Sequence, residues 1–486
     1  MMTRTTRRYV LLALLTACSR GAPAPSGIGP SASPIVAIDA GSLAGFVDTS
    51  GVLLFSGIPY AAPPVGNLRW RAPSPVANWS GTRAATRIGK NCVQSQIYSD
   101  IDAYAAGVSE DCLYLNVWTT GLDADAKRPV MVWIYGGGYN AGFGAEERHN
   151  GARLAQKGAV VVTLNYRLGA FGFFAHPALA AESPHGASGN YAILDQVAAL
   201  QWVQRNVARF GGDPSRVTIF GESAGGSSVG ALIASPLAKG LFRGGVMQSG
   251  NAIGGVRSRD SEYAEGVRFA SSMGVSGTGA DALARLRGIS ADSLQRAAHP
   301  SDGKGGFTFA FSPRLVRDGW VLPLPVDSAL ALGAANLVPV IIGANSGEGD
   351  AAYATARSFA RLVSARGTNA YLYMFSRVGD DSVNRARGAY HSADITFVFG
   401  RARPILESAG RTAYDATLAD AMSDYWVSFA ANGKPGKGSL PEWPAYDAKS
   451  DAYMELGPQV VARSALRRSA YDSLDSRGRT RGEVRP

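Results

Sequence analysis

The chain of 486 residues has little cysteine, little histidine and little charge: three Cys, five His, and 18% Asp, Glu, Lys and Arg together. Low charge beside 46% hydrophobic residues excludes a long solvated chain. It describes a globular protein, with length for one large α/β domain or two ordinary ones. No internal repeat is present, which argues against a solenoid or propeller. No apolar run reaches the length of a membrane span. The formal net charge of +10 would suit a polyanion-binding protein, but its placement argues against nucleic acid. Arg4, Arg7 and Arg8 lie in the first 17 residues, and seven arginines crowd the end from Arg463. The body between them carries only a small excess, so the basicity belongs to the termini.

The beginning of the chain reads as an export signal. A basic stretch is followed by a short apolar core, Val10 to Leu15, and then by small residues. Leu15-Thr16-Ala17-Cys18 resembles a bacterial lipobox, which implies acylation of Cys18 and a membrane anchor. Residues 1–17 are therefore expected to be a signal peptide, and 18–34 a lipidated cysteine with a flexible tether. That tether, SRGAPAPSGIGPSASP, is rich in Gly, Pro, Ser and Ala and would reach on the order of 20 Å. The expected location is outside the cytoplasm, as a lipoprotein of the outer membrane or periplasm or as a secreted protein. In such an oxidising compartment the two remaining cysteines, Cys92 and Cys112, are expected to pair. Closing that loop would contribute about 3 kcal/mol.

From about residue 128 apolar strands alternate with helical patterns, which predicts a mostly parallel sheet covered on both faces. Strands are expected at Val130–Tyr135, Ala159–Leu164, Val217–Phe220, Gly245–Gln248, Val340–Gly343 and Tyr371–Phe375, with helices at Ile193–Phe210 and Thr412–Ala431 among those between. The latter helix would bury Leu418, Met422, Tyr425, Trp426 and Phe429 on one face. Residues 35–128 have shorter strands and Gly/Pro turns, as in an antiparallel lead-in to the same sheet. The arginine-rich end, 465–486, reads as a solvated tail.

The stretch FGGDPSRVTIFGESAGG, 210–226, organises the chemistry. A buried strand runs into Gly221-Glu222-Ser223-Ala224-Gly225, and a small-residue helix follows to about Ala234. This is the strand–turn–helix setting that G-x-S-x-G needs to hold a serine clear of a sheet. The pattern alone is weak: with 59 glycines about one chance match is expected, and Gly226-Ser227-Ser228-Val229-Gly230 supplies it inside the helix. Ser228 is accordingly read as a packing residue, Ser223 as the nucleophile.

An α/β-sheet hydrolase places its acid and then its histidine after the serine. Of His149, His176, His185, His299 and His391, only His391 lies beyond the late strand ending near residue 343, so chain order selects it. The acid is expected just after that strand at Glu348, with Asp350 as the substitute, to hold the imidazole tautomer. Gly136-Gly137-Gly138 follows the strand at 130–135 directly. The Gly137, Gly138 and Ala224 N–H groups are expected to form a three-donor oxyanion hole, each worth on the order of 3 kcal/mol to the transition state.

These segments together resemble the type-B carboxylesterases, the family of the carboxylesterases and cholinesterases. The similarity runs through FSGIPYAAPPVGNLRW (55–70), EDCLYLNVW (110–118), VMVWIYGGGYNAG (130–142), LNYRLGAFGF (164–173), the serine motif, Gly347-Glu348-Gly349 and HSADITFVFG (391–400). The resemblance implies an α/β-hydrolase fold over 35–464 and a serine esterase acting on a small-molecule ester. It also implies the triad Ser223, Glu348, His391, the hole Gly137, Gly138, Ala224, the disulfide Cys92–Cys112, and electrostatic support from Glu222. No metal or organic cofactor is implied. The chain departs from the family twice. The loop from Cys92 to Cys112 has no tryptophan, so a cation–π platform for choline is lacking. Only 43 residues separate Glu348 from His391, so the helices that usually wall the mouth are expected to be missing and the site to be open, favouring short or accessible acyl groups. Two other readings stay open: a catalytically silent, surface-tethered binding protein of the same fold, and an amide or thioester hydrolase.

Overall fold

Short runs of β-branched and aromatic residues build the sheet that carries the rest. The computed structural model describes residues 33–304, 306–379, 386–400, 413–436 and 438–473. The expected signal peptide, Cys18, nearly all of the tether and residues 474–486 lie outside the described residues. Among those described, eleven strands share one sheet: β1 (Phe46–Val47), β2 (Leu53–Pro59), β3 (Tyr114–Thr119), β4 (Arg128–Ile134), β5 (Val160–Leu164), β6 (Gly212–Glu222), β7 (Gly244–Gln248), β8 (Val340–Asn345), β9 (Ala370–Phe375), β10 (Ala452–Leu456) and β11 (Val460–Ser464). They lie in the order β11-β10-β9-β8-β7-β6-β4-β5-β3-β2-β1. Strands β4 to β10 are parallel, and β1, β2, β3 and β11 run antiparallel at the two margins.

Every residue of β5 and of β7 is buried. Successive side chains point to opposite faces, so burial of both sets means that both faces are covered. Five helices matter below: α1 (Tyr191–Asn206), α2 (Ala224–Ala234), α3 (Ala291–Ala298), α4 (Asp350–Ser364) and α5 (Ala413–Asn432). Helix α2 rests on β4, β6 and β7, α4 on β8 and β9, and α5 on β4 and β6. The five apolar residues expected on one face of α5 are all buried. None of the described helices is long and apolar enough to cross a membrane.

Two expectations need correction. The first strands, Ile35–Ile38 and Gly41–Ala44, do not lead into the large sheet. They form a separate three-stranded sheet with Thr82–Ala84, the last pair parallel. Trp79 ties the third strand to the middle one: its main-chain N–H donates to the Ala40 carbonyl at 2.9 Å, and its indole packs against Gly41 and donates to the Ser42 carbonyl at 3.0 Å. The antiparallel lead-in is confined to β1, β2 and β3. Nor does the body end at residue 464. Tyr471 is buried with its ring 5.1 Å from that of Tyr353, and Asp472 pairs with Arg357 at 2.8 Å. Arginine density reads as a solvated tail, yet Tyr471 packing beside α4, with Asp472 on Arg357 and Arg467 on Asp350, holds the chain against the body. Such burial contributes about 2 kcal/mol.

Candidate active site

Strand β6 ends at Glu222, and Ser223 turns the chain into α2 with φ 56° and ψ −122°. A non-glycine residue adopts this conformation only when its surroundings enforce it. Here the enforcement is steric. A Cβ on Gly221 would stand 2.6 Å from the Ile134 carbonyl oxygen, and one on Gly225 only 2.0 Å from it. The two glycines let the turn press against the end of β4. The Ser223 N–H donates to the Gln248 carbonyl at 2.8 Å. Ser228 is buried inside α2, where its Oγ accepts from Gln196 Nε2 at 3.0 Å, the packing role expected for it.

The structure brings His391 to this turn from 168 residues away. Its Nε2 lies 2.8 Å from Ser223 Oγ, and its Nδ1 lies 2.6 Å from Glu348 Oε1. Glu348 is fixed in turn, because its Oε2 accepts from the Asn345 N–H at 3.0 Å. A carboxylate accepts only, so in the neutral imidazole Nδ1 carries the proton and Nε2 is left to accept from the serine hydroxyl. Asp350 is elsewhere: it opens α4 and pairs with Arg467 at 2.5 Å. The other histidines stand apart from the serine. His149 packs on Trp133, His185 stacks on Trp320, His176 caps a short helix, and His299 is buried at the end of α3.

Charge around the imidazole is arranged to favour its protonated form. The hydrogen bond to Glu348 is the largest influence, and with the nearby Glu222 charge it raises His391 to about 9 against the loss from partial burial. Glu222 is buried, and desolvation pushes its carboxyl up to about 8. Its Oε1 lies 3.2 Å from His391 Nε2, in reach of a proton that arrives there.

The glycine run abuts the turn. A Cβ on Gly136 would lie 3.0 Å from Ser223 Cβ, and one on Gly137, at φ 94°, would lie 2.1 Å from the Ala141 carbonyl oxygen. The Gly137 carbonyl accepts from the N–H groups of Asn140 and Ala141 at 3.0 and 3.1 Å. In a trans peptide the C=O and the following N–H point opposite ways, so this grip turns the Gly138 N–H outward. The Ala224 N–H belongs to the first turn of α2, whose donors have no partner within the helix. Cys92 and Cys112 form a disulfide, as expected. The loop they close braces the segment that follows the glycine run, with Gln94 exchanging two hydrogen bonds with Gly142 at 2.8 and 3.0 Å.

One residue escaped the sequence reading. Asp394 is fully buried beneath the histidine loop and accepts from Gln248 Nε2 at 2.9 Å and Tyr373 Oη at 2.8 Å. Burial raises its carboxyl. It ties the histidine loop to the strand end that holds the Ser223 N–H. The available signal was an acid entering an otherwise apolar run, three residues after His391. Among the described residues no group of three or more His, Cys, Asp or Glu is placed to hold a metal ion. A surface groove of about 680 Å³ lined by Ala178, Glu182, Leu283 and Arg287 contains none of the residues just described.

A mostly parallel sheet with a serine on the turn after a central strand, and an acid and a histidine following on later loops, defines the α/β-hydrolase fold. The chain belongs to the carboxylesterase family: its model matches residues 32–357 and 351–474. Fumonisin B1 esterase of Sphingopyxis macrogoltabida is 37% identical over 468 residues, covering 85% of this chain and 84% of that one. Para-nitrobenzyl esterase of Bacillus subtilis (strain 168) is 34% identical, covering 85% and 92%. Among solved structures, a PNB esterase superposes with a TM-score of 0.78 at 30% identity, over 90% of this chain and 98% of the other. The Geobacillus stearothermophilus carboxylesterase EST55 at pH 6.2 gives 0.77 at 31% identity, over 90% and 99%. The chain is a carboxylic ester hydrolase.

Proposed function

We propose that Ser223, Glu348 and His391 carry out ester hydrolysis through an acyl-enzyme. His391 Nε2 takes the hydroxyl proton as Ser223 Oγ attacks the carbonyl carbon. The resulting oxyanion is held by the N–H groups of Gly137, Gly138 and Ala224. The imidazolium, stabilised by Glu348 and Glu222, gives its proton to the leaving alkoxide. Water then enters, loses a proton to the same nitrogen and releases the acid. The observation that carries this reading is the unbroken chain from Ser223 Oγ through His391 to Glu348, at 2.8 and 2.6 Å. The test is labelling by a fluorophosphonate probe, with Ser223→Ala as the control. Labelling that survives the substitution would remove Ser223 from the role.

The preferred substrates are esters with short or accessible acyl groups. Support comes from the 43-residue interval between acid and histidine and from the His391 side chain, which is 51% exposed. Activity on p-nitrophenyl esters should peak at acetate to butyrate, and rates climbing steadily to long chains would contradict it. Fumonisin B1 and p-nitrobenzyl acetate extend the panel, since relatives are named for such esters. A p-nitroanilide and a thioester test the amide and thioester alternatives, which the same groups could serve.

For location, the proposal is an exported lipoprotein held by an acyl group on Cys18. Motif and tether support it. Partition of the full chain into a Triton X-114 phase, lost in Cys18→Ala, is the expected result; unchanged partition would argue against an anchor.

A further inference from the structure

We infer that His299 is a positioning residue for the oxyanion hole, acting through Asn140. The inference rests on the assignment of that hole to the glycine run. His299 caps the end of α3, is buried, and lies 159 residues from Asn140 in sequence. Its Nε2 is 3.1 Å from Asn140 Oδ1, and Asn140 Nδ2 is 3.1 Å from the Gly138 carbonyl oxygen. On its other side His299 Nδ1 lies 2.8 Å from Gln295 Nε2, which also donates to Ser95 Oγ at 3.0 Å.

Chemistry fixes the direction of every link. A carbonyl only accepts, so Asn140 must present its NH2 to Gly138 and its Oδ1 to the histidine. Oδ1 only accepts, so His299 must carry its proton on Nε2. A neutral imidazole then accepts at Nδ1, which is what Gln295 Nε2 offers. Burial lowers the pKa of His299 and keeps it in that neutral form. The Phe309 ring, edge-on at 5.1 Å, closes a further side.

The relay ends where the hole needs to be held. Asn140 grips two consecutive carbonyls, Gly137 with its main-chain N–H and Gly138 with its side chain. The first sets the Gly138 N–H. The second sets the peptide between Gly138 and Tyr139, and Tyr139 has φ 61°, an uncommon conformation for a bulky residue. Without the Asn140 amide that peptide is free to relax toward ordinary φ, carrying the hole with it. Among the described residues His299 supplies the donor that keeps Asn140 facing the right way, and its role lies in the transition state rather than in substrate binding.

The experiment compares His299→Phe, which keeps bulk but no donor, with His299→Gln, which restores an N–H at similar reach, and with Asn140→Leu. The readouts are kcat and KM for p-nitrophenyl acetate, inhibition by a trifluoromethyl ketone that mimics the tetrahedral intermediate, and the thermal midpoint. His299→Phe should lower kcat about 10- to 50-fold with KM within about twofold, and weaken the ketone by a similar factor. His299→Gln should recover most of the loss, and His299→Phe should add little in the Asn140→Leu background. The inference is overturned if His299→Phe keeps kcat and ketone affinity within twofold, or if His299→Gln is no better than His299→Phe. Should His299→Phe not fold, full activity in Asn140→Leu overturns it equally. Wild-type protein unreactive toward fluorophosphonate would instead sink the assignment of the site; normal labelling beside an indifferent His299→Phe sinks this inference alone.

Discussion

The two halves of the site are secured in opposite ways. Ser223, Glu222 and the glycine run stand at the ends of β4 and β6, where Glu222 and Gly136 are buried and backbone contacts are so tight that a methyl group on Gly137, Gly221 or Gly225 would collide at 2.0 to 2.6 Å. His391 stands on a loop, with its side chain 51% exposed and held by hydrogen bonds to Glu348 and Ser223. In the proposed mechanism, sterics fix the half that meets the developing negative charge and electrostatics fix the half that moves protons. Changes in the first should therefore act through geometry, and changes in the second through charge and pH.

The largest expected effect tests the electrostatic half. His391→Ala should lower kcat by about 10⁶ and abolish fluorophosphonate labelling, since the serine loses its base. Glu348→Gln should follow at about 10⁴, because an amide in place of the carboxylate no longer holds the imidazole tautomer. Steady-state rates with p-nitrophenyl acetate check both, and equal, small losses would erase the contrast. On the steric half, Gly137→Ala should lower kcat by about 10² to 10³ with little change in KM, by displacing hole donors. A KM effect without a kcat effect would show that the run shapes substrate binding instead.

A pH profile sharpens the comparison further. His391 works as a base only when neutral, and its pKa is raised to about 9, so kcat/KM should climb through alkaline pH with a midpoint there. Glu222→Gln removes one of the charges that raise it and should move the midpoint down, whereas Gly137→Ala should leave it in place. The same shift has a sign in stability. A histidine with a raised folded pKa adds stability that is full below its ordinary value near 6.5 and lost as pH rises through about 9. Urea midpoints of wild type and His391→Ala at pH 6 and above pH 9 should converge at the alkaline end. The smallest effect lies outside both halves. Tyr471→Ala should cost about 2 kcal/mol of stability by urea unfolding and leave kcat unchanged.

The parts of the site that the primary structure made legible are those written as local sterics or as order along the chain. Gly221 and Gly225 could be anticipated because a strand-to-helix turn pressed on a neighbouring strand has no room for Cβ atoms. His391 could be chosen because one histidine follows the late strand. Its selection over His149, His176, His185 and His299 agrees with where each ring lies. The central strands were legible for the same kind of reason, since burial on both faces demands unbroken apolar runs. The separate sheet formed by Ile35–Ile38, Gly41–Ala44 and Thr82–Ala84 was not, because its third strand, with Trp79 just before it, comes from about 40 residues further along the chain.

What the amino-acid order determined by itself was the fold class, the strand and helix rhythm, and the residues whose backbone positions the turn and the glycine run require. Tertiary structure alone decided which buried polar groups meet. Asp394 finds Gln248 and Tyr373, and Asn140 finds His299. Tyr471 closes the gap beside Tyr353. The physical reason is range. A turn or a strand is set by neighbours a few residues away, whereas a buried donor must be matched by whichever acceptor the folded chain carries to it, and no local pattern records that partner.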